Sequence, residues 1–266
     1  STTAYEYRLT DGEISVATGE FTTAAEIALQ NGSLDGWDGS SPNAATDSKF
    51  WDTSNEGAKM GGLTPTQAVT DFVHTQGGKA AKLESGKVDL MGGIFAAASL
   101  YTGSFGSTNI WTQTATVNFG QSFTARPIAL KGFYKYTPNV INLVKNVPAG
   151  VTIVKDQTLD QCAIYIALAK KTYTIDNGNQ STFIDFKNDE NIIAYGELPS
   201  GAATEGDGYV EFNIPLKYKN LTDQPTHIIV VCSSSKYGDY MTGGAGSTLY
   251  VDDLSLIYDG TPTIWE

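Results

Sequence analysis

The chain has 266 residues, 41% of them hydrophobic and only 17% charged, which is enough apolar material for a buried core and too little charge for a disordered chain. Its 17 basic and 29 acidic residues leave a net charge of −12, so phosphate backbones and anionic lipid are repelled and nucleic acid is excluded as a natural partner, while neutral ligands and cations stay open. No stretch reaches the roughly 20 apolar residues of a membrane span, and the opening STTAYEYRLT has no apolar signal-peptide core, as in a mature secreted chain or a cytosolic one.

The first element is a hairpin. Tyr5, Tyr7 and Leu9 alternate, Asp11-Gly12 supplies the turn, and Ile14 and Val16 alternate again. The following TTAAEIALQ fits a short helix or another strand. Residues 31–62, rich in Gly, Ser, Asn and Asp around Trp37 and Trp51, predict a long structured surface loop. From Lys79 onward, β-branched and aromatic runs recur between Gly, Asn, Asp and Pro. They are KAAKLE, GIFAAASLY, IWTQTATVNF, IALKGFYKY, VTIVK, CAIYIALAKKTY, TFIDF, IIAYGEL, GYVEFNIPLKY, THIIVVCSSS and STLYVDDLSLIY. Without long helices for crossovers, a parallel α/β fold is disfavoured, and the pattern predicts one all-β sandwich or barrel. The closing GTPTIWE reads as a frayed end. The last strand is irregular: Leu249 and Val251 share one parity and Leu254, Leu256 and Tyr258 the other. Either the strand is bulged near Asp252 or Asp252 points inward, where its carboxylate needs hydrogen bonds or a cation.

Several chemistries lack their residues. His74 and His227 sit in no HExxH arrangement, and no GxSxG elbow, GxGxxG fingerprint or phosphate loop is present. Cys162 and Cys232 lie in apolar runs and read first as buried free thiols, with a cross-strand disulfide as the alternative. The strand-borne carboxylates Glu84, Asp160, Asp185, Glu197 and Glu211 form no pair in sequence, so no catalytic residue is assigned. Aromatic rings remain. Sugars present flat C–H faces that rings cover and hydroxyl rims that polar side chains bond. Trp37, Trp51 and Trp111 occupy turn-rich or strand-edge positions. If Phe133 faces inward, Tyr134 and Tyr136 face outward. These five rings are the candidate ligand contacts.

The segments FWDTSNEG, HTQGGKAAKLES, SLYTGSF, TVNFGQSFTARPIALKGFYKYTP, DQCAIYIALA and LYVDDLSLIYDG resemble the Putative carbohydrate metabolism domain family of surface and secreted gut-bacterial proteins. The block from Thr116 to Pro138 is the most specific. The resemblance implies a jelly-roll β-sandwich of two antiparallel sheets over residues 31–260, with 1–30 as an N-terminal hairpin or extension and 261–266 as a tail. It implies a carbohydrate partner and an extracellular or cell-surface location, a lipid anchor on the full-length precursor being one arrangement. In similar binding modules an acidic residue of the final strand joins a structural calcium site with one near the first strand; the matching positions are Asp252 and Asp35, the latter replacing the commoner Glu. Three functions follow in order of expectation: glycan binding in polysaccharide capture or use, glycoside hydrolysis by a carboxylate pair, and a structural or adhesive surface role without a small ligand.

Overall fold

A computed structural model describes residues 4–22, 25–89, 93–109 and 111–265. Thr23 and Ala24 of the ambiguous early stretch, Ile110 of IWTQTATVNF and Glu266 of the tail lie outside the described residues.

The early strands are β1 (Ala4–Asp11), β2 (Ile14–Thr22), β3 (Trp51–Thr53), β4 (Thr66–Val69), β5 (Ala80–Glu84), β6 (Gly86–Val88) and β7 (Ile94–Ala96). Then come β8 (Ser99–Asn109), β9 (Thr114–Phe119), β10 (Gln121–Ser122), β11 (Ala129–Thr137), β12 (Ala163–Ala169) and β13 (Tyr173–Asp176). The last are β14 (Ile192–Glu197), β15 (Val210–Pro215), β16 (Lys217–Tyr218), β17 (His227–Ser233), β18 (Thr248–Ile257) and β19 (Thr263–Ile264). The α-helix is a single turn, α1 (Asn55–Ala58).

These strands build a jelly-roll β-sandwich. Ten strands form one sheet, with β13-β9-β8-β17-β12-β14-β16-β19 as its path and β3 and β10 paired at its side; five form the other, in the order β15-β11-β18-β5-β4. The pairing is antiparallel except where β19 joins β16 in parallel. Alternation along the central strands explains the layering. On β12, Ile164, Ile166 and Leu168 face the other sheet, where Leu83, Leu130 and Val251 meet them. Ala167 and Ala169 face the opposite way, as do Ile229 and Val231 of β17, and join a second apolar cluster on the outer face of the ten-stranded sheet. Each large side chain buried in these layers contributes about 1.5–3 kcal/mol.

The early hairpin forms as its alternation predicts, with Gly12 in the turn at φ 61°. Its described side chains are exposed, Leu9 and Ile14 among them. Residues 31–62 are a surface loop only in part, with residues 38–40 and 45–49 exposed. Leu34 and Trp51 are fully buried, and Asn43 secures β3 by accepting from the amides of Phe50 and Trp51 and donating to the Trp51 carbonyl. The packed segment also starts before residue 31: Leu29 belongs to the inner core, and the Tyr258 hydroxyl donates to the Ile27 carbonyl at 2.7 Å. VTIVK and TFIDF form no strand. The segment containing TFIDF instead lays Phe183, Ile184 and Phe186 over the outer apolar cluster. The tail is not frayed, since Trp265 donates its amide to the Tyr218 carbonyl and stacks on Tyr195 at 6.1 Å.

The irregular last strand is bulged. Phe133 pairs with Asp252 and Lys131 with Ser255, so β18 carries one extra residue there, with Asp253 at φ 49°. The bulge restores Leu254 to the inner core after the parity change. Cys162 and Cys232 are both buried free thiols; Cys232 pairs opposite Ile164, which leaves Cys162 diagonal to it rather than facing it. Burial pushes the Cys162 thiol up to about 12.

Asp160 is the main buried acceptor at the loop end of the sandwich, only 1% exposed. Its Oδ2 accepts from Ser235 Oγ at 2.6 Å, Gly244 N at 2.7 Å and Ser247 Oγ at 3.1 Å, and its Oδ1 from Gln161 N at 2.8 Å. Desolvation raises its carboxyl above the usual range, and these donors pull it partly back. Asp160→Ala strands four donors, so urea denaturation is expected to show a loss of about 3 kcal/mol or more; a loss under about 1 kcal/mol would show that water replaces the carboxylate.

Candidate functional site

The cover over the outer face of the ten-stranded sheet is incomplete above β8, β9 and β17, and a cavity of about 200 Å³ opens there. Its floor consists of outward residues of the sheet: Tyr101 and Phe119, Tyr165, Ile175 and Val231. Met60, after α1, and Val88 and Phe95 of the β6–β7 hairpin form one wall. Gly61 lets those two elements meet, because a Cβ there would collide with the Val88 side chain. The β8–β9 hairpin supplies Phe105 and Gln113, and the turn through Gly238–Tyr240 adds Asp239, with Met241 just beyond it. A second recess of about 230 Å³ adjoins the first, sharing Ile94, Phe95, Gln113 and Met241 and extending to Leu143 and Lys145.

The lining is mainly apolar, with a few polar groups that have no side-chain partner among the described residues. Among the described residues, neither the Tyr165 hydroxyl nor the Gln113 amide makes a side-chain hydrogen bond, and neither Lys236 nor Asp239 makes an ion pair. Asn177, by contrast, is engaged: it accepts from Ala115 N at 2.9 Å and donates to Met241 Sδ at 3.0 Å. Asp239 lines the cavity as an exposed residue at its rim, and the partial desolvation there pushes its carboxyl up to about 6. Burial, together with Asp239 nearby, holds the Tyr165 phenol well above its ordinary value. An apolar floor with a small set of unpartnered polar groups is the usual constitution of a small-molecule site.

The model of the Putative carbohydrate metabolism domain family matches residues 26–257. The chain belongs to that family. Among solved structures it is similar to a putative glycoside hydrolase from Bacteroides thetaiotaomicron, with 23% identity, a TM-score of 0.65, and coverage of 98% of this chain and 80% of the other. It is also similar to a putative glycoside hydrolase from Bacteroides vulgatus, with 25% identity, a TM-score of 0.59, and coverage of 80% and 88% respectively. No curated protein matches the chain.

The rings expected to contact a ligand do not gather in this Putative carbohydrate metabolism domain. Trp51 and Tyr136 are fully buried and cannot touch one; the Trp51 indole donates to the Gln30 carbonyl at 2.7 Å and the Tyr136 hydroxyl to the Ser234 carbonyl at 2.9 Å. Tyr134 packs edge-on to Phe212 at the inner core, and Trp37 packs against that core while donating to the Leu34 carbonyl at 2.6 Å. Tyr134 and Tyr136 do share a face of β11, but it is the inner one, because Phe133 is the outward residue, stacked on His74. Trp111 alone of the five is prominently exposed, at 83%, in the turn of the β8–β9 hairpin whose flanks line the cavity.

The expected calcium pair does not fit the ion. Asp252 Oδ2 accepts from His74 N at 2.7 Å and its Oδ1 from Asp253 N at 2.9 Å, while Asp35 Oδ1 accepts from Lys79 N at 2.7 Å. Both acids therefore bind backbone amides at the two ends of one loop, where calcium would need a shell of several oxygens. Among the described residues no group of three acidic, His or Cys side chains is placed to hold a metal. Four of the five strand-borne candidate acids are elsewhere: Asp160 is the loop acceptor, Glu84 and Glu211 pair with Lys82 and Lys131, and Asp185 bonds Asn188, while Glu197 pairs across from Tyr165 of the cavity floor without itself lining the cavity. Asp239 was missed because it lies in the turn after an apolar strand, in SSSKYGDY, where nothing local distinguishes it from a solvated turn residue.

A raised folded-state value makes ionised Asp239 a burden on the folded protein. The associated stability is present below the ordinary 3.8, falls as pH rises from there to about 6, and is gone above it. Asp239→Asn is therefore expected to melt above the parent at pH 7 and alongside it at pH 4. Equal melting temperatures at pH 7 would show that the carboxylate is fully hydrated.

Proposed function

We propose that this domain binds carbohydrate through the outer-face cavity, serving glycan capture or use at the cell surface. The observation that carries this reading is the lining: aromatic and aliphatic floor residues, four polar groups with no side-chain partner among the described residues, and Asp239 as the single carboxylate among the described lining residues. Rings such as Tyr165 and Phe105 suit C–H faces, and Gln113, Lys236, Asp239 and the Tyr165 hydroxyl suit hydroxyls. Hydrolysis by the usual route needs two carboxylates about 5–10 Å apart. Asp239 has no such partner in the described lining, so the cavity favours binding over cleavage even though the two similar Bacteroides proteins are described as putative glycoside hydrolases. The adhesive alternative predicts no cleft of useful size, and the cavity weighs against it.

A glycan array followed by calorimetry tests the reading. Tyr165→Phe removes one unpartnered hydroxyl and is expected to weaken the best glycan about fivefold to tenfold. Trp111→Ala removes the exposed ring at the hairpin turn and is expected to have a similar effect. Binding that neither substitution alters, or a folded protein that retains no glycan, would overturn the cavity assignment.

A further inference from the structure

We infer that the preferred ligand is a glycan end bearing an apolar substituent, such as an ester-linked acyl or aryl group, with the substituent in the first recess and the adjoining sugar in the second; this rests on the carbohydrate reading above. The two recesses differ in constitution. The first is walled mainly by side-chain carbon from Met60, Val88, Phe95, Phe105, Ile175 and Val231, and the second has a nearly even balance of polar and apolar lining. An unsubstituted pyranose carries hydroxyls on nearly every ring carbon. Placed in the first recess, it could reach the polar groups of the walls on one side only; the hydroxyls turned to the floor would meet carbon apart from the Tyr165 hydroxyl, and each orphaned one would weaken binding about tenfold or more. A hydrocarbon group there loses no hydrogen bonds and removes apolar floor from water.

Size points the same way. At about 200 Å³ the first recess falls below the roughly 300–1,000 Å³ of a drug-sized site, so it accommodates one ring or a short chain. Polar side chains are available to a sugar attached to such an anchor. Gln113 belongs to both recesses, Lys145 lies in the second, and Lys236 and Asp239 stand by the first. The substituted end is thus held by its hydrocarbon part and oriented by its hydroxyls.

Calorimetry with matched pairs tests this: each glycan retained by the protein, as its methyl glycoside and as its 4-nitrophenyl glycoside or O-acyl ester. The substituted member is expected to bind at least tenfold more tightly. Met60→Gln, at a residue 61% exposed and so tolerant of change, is expected to remove most of the difference between the two members of each pair. Equal affinities within each pair would overturn the apolar-substituent assignment and leave glycan binding standing. Failure of both members to bind would remove the carbohydrate reading and this inference with it.

Discussion

The ten-stranded sheet is apolar on both faces, and that condition shapes the rest of the molecule. Its inner face is met by the five-stranded sheet through Leu100, Ile164, Ile166, Leu168 and Val230. Its outer face carries Tyr101, Phe119, Ile229 and Val231, which cannot be left to water without losing much of what their burial contributes. Among the described residues no third sheet covers it. Irregular segments do much of the covering: Phe186 stacks on Tyr195 at 4.3 Å, Trp265 stacks on the same tyrosine at 6.1 Å, and Phe183 meets Tyr240 edge-on at 5.1 Å. That cover is dense over β12 and β14 and open over β8, β9 and β17. The cavity lies where the sheet's need for apolar cover is unmet, which is why its floor is carbon and its rim is loop.

Loops that close a cavity must be held in place, and this chain uses its acids as internal acceptors for the purpose. Asp160 ties the entry to β12 to the segments around Ser235 and Gly244–Ser247, and Ser235 itself reaches the cavity wall. On the opposite sheet Asp252 and Asp35 hold the loop between β4 and β5, and Asp253 accepts from Thr75 Oγ at 2.6 Å with His74 Nδ1 2.7 Å away. The strongly acidic composition thus partly reflects carboxylates taking backbone amides and hydroxyls as partners. A carboxylate in that role is valuable only while its donors are present, so these positions couple loop geometry to the packing of the sheets beneath.

Strand positions were legible because period-2 alternation reports burial on one face. It placed the early hairpin, β5, β11, β14 and β18, and the parity break at Asp252 announced the bulge. Alternation fixes which residues share a face and leaves open which face is inside, so the outward placement of Tyr134 and Tyr136 hung on an inward Phe133, and both turn to the core. QCAIYIALA and HIIVVC do not alternate at all. Such runs mark strands covered on both sides, and they were the available sign of a second apolar face, hence of a site on it. The turn-rich stretch around Trp51 misled for another reason: Asn43 provides from its side chain the hydrogen bonds that a strand neighbour would give, so polar composition there accompanies burial. The cavity itself is assembled from segments far apart in the chain, α1, the β6–β7 and β8–β9 hairpins and the turn at Asp239, and no local pattern brings them together.

Two of the three methionines, Met60 and Met241, line the cavity on different walls, which makes their methyl groups direct reporters of occupancy. Proton–carbon methyl spectra of methyl-labelled protein, recorded during titration with a retained glycan, test the location of the site without any substitution. The expected result is saturable movement of the Met60 and Met241 signals together, at the concentration that calorimetry gives for binding. Saturation that leaves both signals in place while resonances of the five-stranded sheet move would put the ligand on the opposite face and contradict the account.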